Sequence, residues 1–458
     1  MKIGLKKLGS SLDVHVKVTY DLGMKALRAL SVTLDEWIPA GDLRRLVIVR
    51  GLRSFVQGYV TVIFAIYLGL IGFPAWLIGL TLTIGGIASA LLTLLTGVLS
   101  DRIGRRPFLL LYGWLLLIAG ILFSLTTIPW VLIVISALGG LGRGGGSGGQ
   151  AGPFMPAEQA IIAEKASGET RTRVFAANSV VGTGCAALGA VLAGVPEWAG
   201  AVWHLSILAS YRPLYLGVAL AGALSVLILW PLTELPRKAR ANDAEARARR
   251  RRTRQTIGKI SFAGAINGFG LGFLIGLVPY WLHVRYGVTP GAIGPVLAAS
   301  SLLTALGSLV AVRLASRFGD VMLITGSRMV GVVLTLALPF APFYLLAAAL
   351  YVLRMVSAMM AMPVRQSYTM GIIEPEARGS AAGISGVARR LPASLSPSLS
   401  GYWIGIDELE WPFIASAIFL FVNATLYYVW FRNVRPLDAP DLSKPSVPAL
   451  PDVPEKAG

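Results

Sequence analysis

The chain has 458 residues, of which 55% are hydrophobic and 14% are charged. Roughly a quarter of the residues of a soluble protein are charged, so this composition excludes an ordinary water-soluble fold. The formal net charge of +18 would by itself suit a nucleic-acid-binding protein. A nucleic-acid site gathers its basic residues on one element, whereas here they lie in short connections between long apolar runs. Nucleic acid is therefore excluded as a partner, and the charge indicates the topology of a membrane protein.

Apolar runs of about 20 residues, the length that a helix needs to cross a bilayer, recur along the chain. Residues 46–234 contain six such runs, and residues 257–432 contain six more. A basic linker, residues 235–256, lies between them, and Arg249–Arg252 is its most basic stretch. The runs predict an all-α membrane protein with twelve transmembrane helices in two six-helix bundles.

The basic connections predict the orientation in the membrane. Ser100–Arg106 and Arg313–Asp320 are rich in arginine, whereas Gly69–Pro74 has no basic residue. The positive-inside rule then places the linker and both termini in the cytoplasm. The expected location of the chain is the inner (plasma) membrane of a cell. The two alternatives for residues 1–45 are a helix lying on the membrane surface and a plain cytoplasmic segment. Residues 433–458 are proline-rich and are expected to be a disordered cytoplasmic tail.

The two halves also resemble each other in sequence. Residues of the fourth and fifth spans recur at one fixed offset in the tenth and eleventh, which is typical of transporters built from parallel repeats. The bundles are therefore expected to be related by a pseudo-two-fold axis. The matching pairs are Pro156 with Pro363, Gln159 with Gln366, Arg171 with Arg378, and Gly189–Gly194 with Ser396–Gly401.

The connection between the second and third spans has the sequence GVLSDRIGRRP and begins at Gly97. It resembles the loop signature of the major facilitator superfamily, a glycine followed by Asp-Arg, Gly and two basic residues. A weaker copy, Leu314–Gly319, lies in the second half, with Ser316 in place of the acid. In that family the acidic residue of this loop accepts bonds when the cytoplasmic side is closed. The resemblance implies a conformational latch formed by Gly97, Asp101, Arg102, Gly104 and Arg105.

The resemblance covers residues 45 to 432 and implies a secondary transporter that moves a small-molecule substrate by alternating access. Gly189–Gly194 resembles the signature of the drug and metabolite efflux branch, with Ala190 and Ala193 in place of a proline and a glycine, and this implies export. Membrane lipids are the expected surroundings, and the chain is expected to be a monomer. Because Cys185 is the single cysteine and no span carries a nucleophile–base pair, we expect no enzyme activity, no cofactor and no metal.

Arginine residues lie deep inside several predicted spans. Arg143 and Arg354 are near the middle of the fourth and tenth spans, and Arg53 lies two turns into the first. Arg389 and Arg390 are about 100° apart on one helix, so we expect one of the two to face a central cavity. A guanidinium in hydrocarbon costs at least about 2.5 kcal/mol and must bond backbone carbonyls, face water or meet an anion.

In the superfamily fold the first, fourth, seventh and tenth helices line the central cavity, so these arginines predict a site for an anionic or amphipathic solute. A structural role, in which an arginine bonds backbone carbonyls, is the alternative for each. The candidate substrate-binding residues are Arg53, Gln57, Arg143, Asn267, Arg354 and Arg390.

No aspartate or glutamate lies at a comparable depth, so coupling to protons has few candidate residues. Asp101 and Glu158, both nearer the cytoplasmic side, are the candidates, and a counter-anion is the alternative coupling partner. Three other functions remain open at this point. They are proton-coupled multidrug efflux with structural arginines, uptake or exchange of a phosphorylated or inorganic anion, and a membrane receptor or scaffold.

Overall fold

The computed structural model describes residues 41–139, 153–166, 168–233, 244–373 and 378–434. The expected surface helix or cytoplasmic segment at the N terminus, the beginning of the basic linker and the proline-rich tail lie outside the described residues. All transmembrane elements described are helical, in agreement with the sequence prediction.

The N-terminal bundle is built from eight α-helices among the described residues, and they account for six spans. The fourth span consists of α4 and α5, and the fifth of α6 and α7 joined by the 3-10 turn Leu192–Gly194. The helices are α1 (Asp42–Leu70), α2 (Ala75–Ile103), α3 (Arg106–Leu125), α4 (Pro129–Gly139), α5 (Phe154–Lys165), α6 (Gly168–Val191), α7 (Val195–Trp203) and α8 (Ile207–Leu229).

The C-terminal bundle repeats this order. The seventh span consists of α9 and α10, and the tenth consists of α13 and α14, which meet at Ala361. The 3-10 turn Leu338–Phe340 ends the ninth span. The helices are α9 (Ala244–Gly272), α10 (Val278–Tyr286), α11 (Pro290–Phe318), α12 (Asp320–Ala337), α13 (Tyr344–Met360), α14 (Met362–Gly371), α15 (Arg378–Gly405) and α16 (Trp411–Phe431).

Among the described residues, nine helices are long and apolar enough to cross a membrane, and Pro129–Gly139 is a shorter apolar helix. The described part of the fourth span is split between two short helices. The seventh and eleventh spans carry more polar residues, with Arg389 and Arg390 inside α15. The protein is therefore an all-α membrane protein of two six-helix bundles, as the sequence predicts.

Glycines allow helices within each bundle to touch along their backbones. A Cβ added at Gly58 of α1 would lie 2.1 Å from the carbonyl oxygen of Ala186, and one at Gly189 of α6 would lie 1.9 Å from that of Phe55. Inside a bilayer, helix association depends on such close van der Waals contact because lipid tails are as apolar as the side chains. These glycines therefore hold α1 against α6.

Serine hydroxyls join the helices of the C-terminal bundle. Ser396 and Ser400, one turn apart on α15, donate to the carbonyl oxygens of Phe269 on α9 and of Phe273 just beyond its end, at 2.6 and 2.8 Å. In hydrocarbon each such bond satisfies a hydroxyl that has no water to bond. The bonds fix α15 against α9, and this contact places Arg389 and Arg390 on one wall of the site described below.

The two ends of the molecule can be told apart by their turns. We call the end with the turns at Gly104 and Gly319 the basic face, and the end with the turns at Gly72 and Ala341 the opposite face. Gly104 and Gly319 have φ values of 113° and 85°, a conformation that glycine adopts and L side chains avoid. They follow α2 and α11, so the signature loop and its weaker copy make the same kind of turn in the two bundles.

The two bundles contact each other in the half nearer the opposite face. Thr83 of α2 and Ser398 of α15 share a hydrogen bond of 2.6 Å. On the other side of the interface, Gly291 at the start of α11 donates its backbone N–H to the Glu197 carboxylate of α7 at 2.7 Å. A Cβ at Gly294 of α11 would lie 2.1 Å from a backbone oxygen of α6. Both sides of the bundle interface are therefore closely packed at this end.

Candidate functional site

A cavity of about 310 Å³ lies mainly within the C-terminal bundle. Its walls come from α9, α12, α13, α14 and α15, with Leu420 of α16 at its edge. The N-terminal bundle contributes Leu82 and Gly86 of α2 and Met155 of α5. The volume is at the lower end of the range for small-molecule sites, so the cavity suits a small organic ligand.

Five arginines line this cavity, and they come from three consecutive spans. Among the residues that the structure describes, no carboxylate lines the cavity, and none forms an ion pair with these guanidinium groups. Like charges gathered in a low-dielectric site repel one another, and the repulsion is relieved when an anion enters. The five are Arg328, Arg354, Arg365, Arg389 and Arg390.

Arg354 is the most buried of the five, with 4% of its surface exposed. Its Nε donates to the Thr335 hydroxyl at 3.3 Å, and its Nη1 points at the sulfur of Met355 at 3.3 Å. Its Nη2 is buried without a hydrogen-bond partner among the described residues. A buried donor without an acceptor is costly, so this guanidinium is prepared to bind an acceptor that enters the cavity.

Arg328 is held in place by its neighbours. Its Nη1 donates to the Asn423 side-chain oxygen at 2.5 Å, and its guanidinium lies 5.3 Å from the centre of the Tyr427 ring. Asn423 is fixed in turn, because its amide donates to the Ala263 carbonyl at 2.6 Å. The neutral amide orients the guanidinium without cancelling its charge.

Arg365 and Arg389 complete a group of charges around Arg328. Arg365 is close enough to both Arg328 and Arg389 for their charges to interact, and Arg390 interacts with Arg389. We call Arg328, Arg365, Arg389 and Arg390 the arginine cluster. Both neighbouring arginines of α15 line the cavity, so the expectation that just one would face it is wrong. An arginine side chain is long enough to reach a cavity from either of two adjacent helix positions.

The rest of the wall is largely apolar. It includes Leu271 and Ile275 from the seventh span, and Tyr351, Met355 and Met359 from the tenth. Methionine side chains adapt their shape and are frequent where ligands of varied outline bind. The cavity therefore combines a positive part with a flexible apolar part, a combination that suits an anion with an apolar body.

The N-terminal bundle holds a charge group of a different kind. Glu158 of α5 is 1% exposed, lies 3.8 Å from the Arg50 guanidinium and accepts a hydrogen bond from Asn178 at 3.3 Å. Arg53 stacks on the Phe154 ring at 4.3 Å and donates to the Tyr112 carbonyl at 3.4 Å. Here a buried carboxylate lies beside the arginines, whereas no carboxylate among the described residues lines the cavity.

The structure brings some of the sequence-predicted site residues together and separates others. Asn267, Arg354 and Arg390 line the cavity, whereas Arg53 and Gln57 of α1 are not among its lining residues. Arg143 lies outside the described residues. Three cavity arginines were not among the candidates: Arg328 and Arg389, which lie within predicted spans, and Arg365, which lies just beyond the end of the predicted tenth span.

The signature loop lies away from this cavity. Arg105 forms an ion pair with Glu164 at the end of α5, which ties the loop to the fourth span. Gly97, Asp101 and Arg102 are within α2, and the structure gives no description of their side chains. The latch remains a prediction.

The internal repeat relates the charged group around Glu158 in the N-terminal bundle to the arginine cluster in the C-terminal bundle. The offset that matches Gln159 with Gln366 also matches Glu158 with Arg365. One position of the repeat thus carries a carboxylate in α5 and a guanidinium in α14. At this position the N-terminal bundle places a negative charge beside its arginines, whereas the C-terminal bundle adds a further positive charge to the cavity.

The chain is similar in sequence and in fold to several known proteins. An uncharacterized membrane protein of Saccharomyces cerevisiae, YJR124C, is 23% identical over 387 residues, which is 76% of this chain and 85% of the yeast protein. The fold is similar to the solved structure of a bacterial homolog of the human lysosomal transporter Spinster in an inward-facing and occupied conformation. That comparison has a TM-score of 0.65 and 18% identity, and covers 85% of this chain and 96% of the other.

The nucleoside transporter NupG has a similar structure, with a TM-score of 0.63, 18% identity, and coverage of 86% of this chain and 100% of NupG. At these identities both solved structures support the fold and leave the substrate open. The family model of the Major Facilitator Superfamily matches this chain over residues 46–259 and again over residues 260–453. Each half of the sequence thus matches in turn, and the chain belongs to the Major Facilitator Superfamily.

Proposed function

We propose that this transporter moves a small organic anion, which binds in the cavity of the C-terminal bundle. The observation that carries the proposal is the set of five lining arginines without a lining carboxylate among the described residues. Buried arginine retains its charge, so these groups need an anion or water as a partner. Neutral or cationic solutes would leave the repulsion among them unrelieved.

We propose export as the direction and the plasma membrane as the location, with both termini in the cytoplasm. The positive-inside rule favours the cytoplasm for the basic face. Close packing of the bundles at the opposite face, through Thr83 with Ser398 and Glu197 with Gly291, then corresponds to an inward-facing state. Because importers and exporters both pass through an inward-facing state, the partial efflux signature at Gly189–Gly194 is what favours export.

Proton-coupled efflux of apolar compounds is the second candidate function. It is favoured by the buried carboxylate of Glu158, which lies apart from the cavity and could carry a proton. Under this alternative the arginines are structural, as the contacts of Arg53 with Phe154 and Tyr112 illustrate for one of them.

Tracer uptake into proteoliposomes tests the two candidates. Matched anionic, neutral and cationic tracers are compared with and without a pH gradient, for the native protein and for Arg354→Gln. We expect selective uptake of anions, reduced about ten-fold or more by Arg354→Gln because a charged donor is lost. Arg432→Gln, at the exposed end of α16, is the matched control and is expected to transport normally.

Gradient-driven movement of cationic or neutral dyes that Arg354→Gln leaves unchanged would overturn the proposal in favour of proton-coupled efflux. Sealed vesicles of both orientations, loaded with tracer on one side at a time, test the direction separately. Faster movement from the basic face to the opposite face supports export, and the reverse contradicts it.

A further inference from the structure

The positive charge of the cavity is divided between two places. The arginine cluster lies around Arg328 of α12, whereas Arg354 contacts Thr335 on the same helix. Thr335 follows Arg328 by seven residues, which is about 10 Å along a helix axis at 1.5 Å per residue. The charge of Arg354 interacts with Tyr351. The cavity therefore has one positive end at Arg354 and another at the arginine cluster.

Each positive end requires a negative partner of its own. At one end, Nη2 of Arg354 is buried and lacks an acceptor among the described residues. At the other, the four guanidinium groups repel one another, and the neutral Asn423 is the side chain that holds Arg328. Two positive sites about 10 Å apart along α12 cannot be satisfied together by one carboxylate, because ionic hydrogen bonds are shorter than 3 Å.

The wall between the two ends is apolar. From Arg354 to Arg365 along α13 and α14, the side chains that line the cavity are all methionine or alanine. They would contact a hydrocarbon chain favourably and offer no hydrogen bonds to a polar one. These wall residues are Met355, Ala358, Met359, Ala361 and Met362.

We infer that the substrate is an elongated dianion, with a carboxylate at each end of an apolar body, of the α,ω-dicarboxylate class. One carboxylate binds Arg354, the other binds the arginine cluster, and the body lies along the methionine wall. The inference rests on the proposed transport of organic anions and specifies which anions are bound.

Isothermal titration calorimetry on the purified protein in detergent tests the inference directly. The probes are succinate, adipate, suberate and sebacate, each compared with the monocarboxylate of equal carbon number, such as octanoate for suberate. We expect the dicarboxylate affinity to pass through a maximum at one chain length. At that length it should exceed the monocarboxylate affinity about ten-fold or more, because a second ionic contact is made.

Variants at the two ends give the second part of the test. Arg354→Gln and Arg365→Gln are each expected to lower the suberate affinity about ten-fold or more and to remove its advantage over octanoate, because one of the two ionic contacts is lost. Thermal unfolding of each variant shows whether it is folded. Arg354→Lys keeps the positive charge and is expected to retain part of the preference for suberate over octanoate.

The possible failures are distinguishable. Equal affinity for suberate and octanoate at every chain length, with both binding, would overturn the two-ended substrate and leave anion transport standing. Absence of binding by any of these anions, together with proteoliposome uptake of cations, would overturn both proposals.

Discussion

The carboxylate of Glu197, in the N-terminal bundle, accepts a hydrogen bond of 2.7 Å from the backbone N–H of Gly291, in the C-terminal bundle. Gly291 is the second residue of α11, so the negative charge lies at the positive end of a long helix dipole. The contact bridges the two bundles at the opposite face. It therefore stabilises one conformation of the transporter and is lost when that face opens.

Replacing Glu197 by glutamine is expected to shift the protein towards the conformation that is open at the opposite face. Loss of the charge at the helix end costs about 1 kcal/mol, roughly a five-fold change in the ratio of the two states. Spin labels at Leu205→Cys and Phe343→Cys, exposed positions of the two bundles at this face, report the separation by double electron–electron resonance in a Cys185→Ser background.

The matched control is Glu410→Gln. Glu410 lies 3.9 Å from Arg285 within the C-terminal bundle, so its loss breaks no contact between bundles. The distance distribution is expected to lengthen for Glu197→Gln and to stay unchanged for Glu410→Gln. An unchanged distribution in both variants would show that the Glu197 contact has no part in closing this face.

Gly294→Ala is expected to disturb the same interface by steric means. The new methyl group would lie 2.1 Å from the Ala190 carbonyl oxygen, a backbone atom that cannot rotate away. Overpacking of this kind costs about 1–3 kcal/mol, which should lower the thermal unfolding temperature and separate α11 from α6. Gly326→Ala on α12 meets nothing within 4 Å and is expected to be neutral or slightly stabilising. Equal unfolding temperatures for the two variants would contradict the packing argument.

Glu158→Gln is expected to destabilise the N-terminal bundle. The carboxylate is 1% exposed and faces both Arg50 and Arg53, so neutralising it leaves buried positive charge poorly compensated, at a cost of about 3 kcal/mol. Glu164→Gln removes the partner of Arg105 from a partly exposed ion pair, and we expect this to lower the free energy of unfolding by less than about 1 kcal/mol. Thermal unfolding in detergent compares the two variants. Equal decreases in their unfolding temperatures would mean that burial of the carboxylate does not determine how much its loss destabilises the protein.

Asn423→Asp is expected to weaken anion binding, although residue 423 is not among those that line the cavity. The new carboxylate would lie beside the Arg328 guanidinium, now 2.5 Å from the Asn423 oxygen, and cancel one charge of the arginine cluster. We expect the affinity for an anionic tracer to fall on the order of ten-fold. Asn423→Ser keeps the site neutral and should bind within about two-fold of the native protein. Equal affinities for all three proteins would show that Arg328 does not contribute to the site.

The spans and their pairing into two bundles could be predicted because length and hydropathy are properties of each segment alone. The depth of Arg354 in its span could be counted in the same way, and Arg354 does line the cavity. Which way a helix faces could not be predicted. In a bilayer nearly every side of a helix is apolar, so the pattern does not mark the inner side.

Arg328 and Arg53 illustrate this limit. Arg328 lies in the ninth span, outside the set of helices expected to line the cavity, yet its long side chain lines it. Arg53, on a helix expected to line it, stacks on Phe154 instead. Whether an arginine lines the cavity depends on how its helix is rotated and on how far its guanidinium reaches. Neither can be predicted from the spacing of residues in the sequence.

The positive charge that lines the cavity bears on the response to membrane voltage. Under the proposal of a dianionic substrate, binding cancels two of the five arginine charges of the cavity. The loaded protein then carries two fewer uncompensated positive charges than the empty protein when it changes conformation. Because the work done by the potential is proportional to the charge displaced, voltage is expected to act more strongly on the return of the empty transporter than on the loaded step.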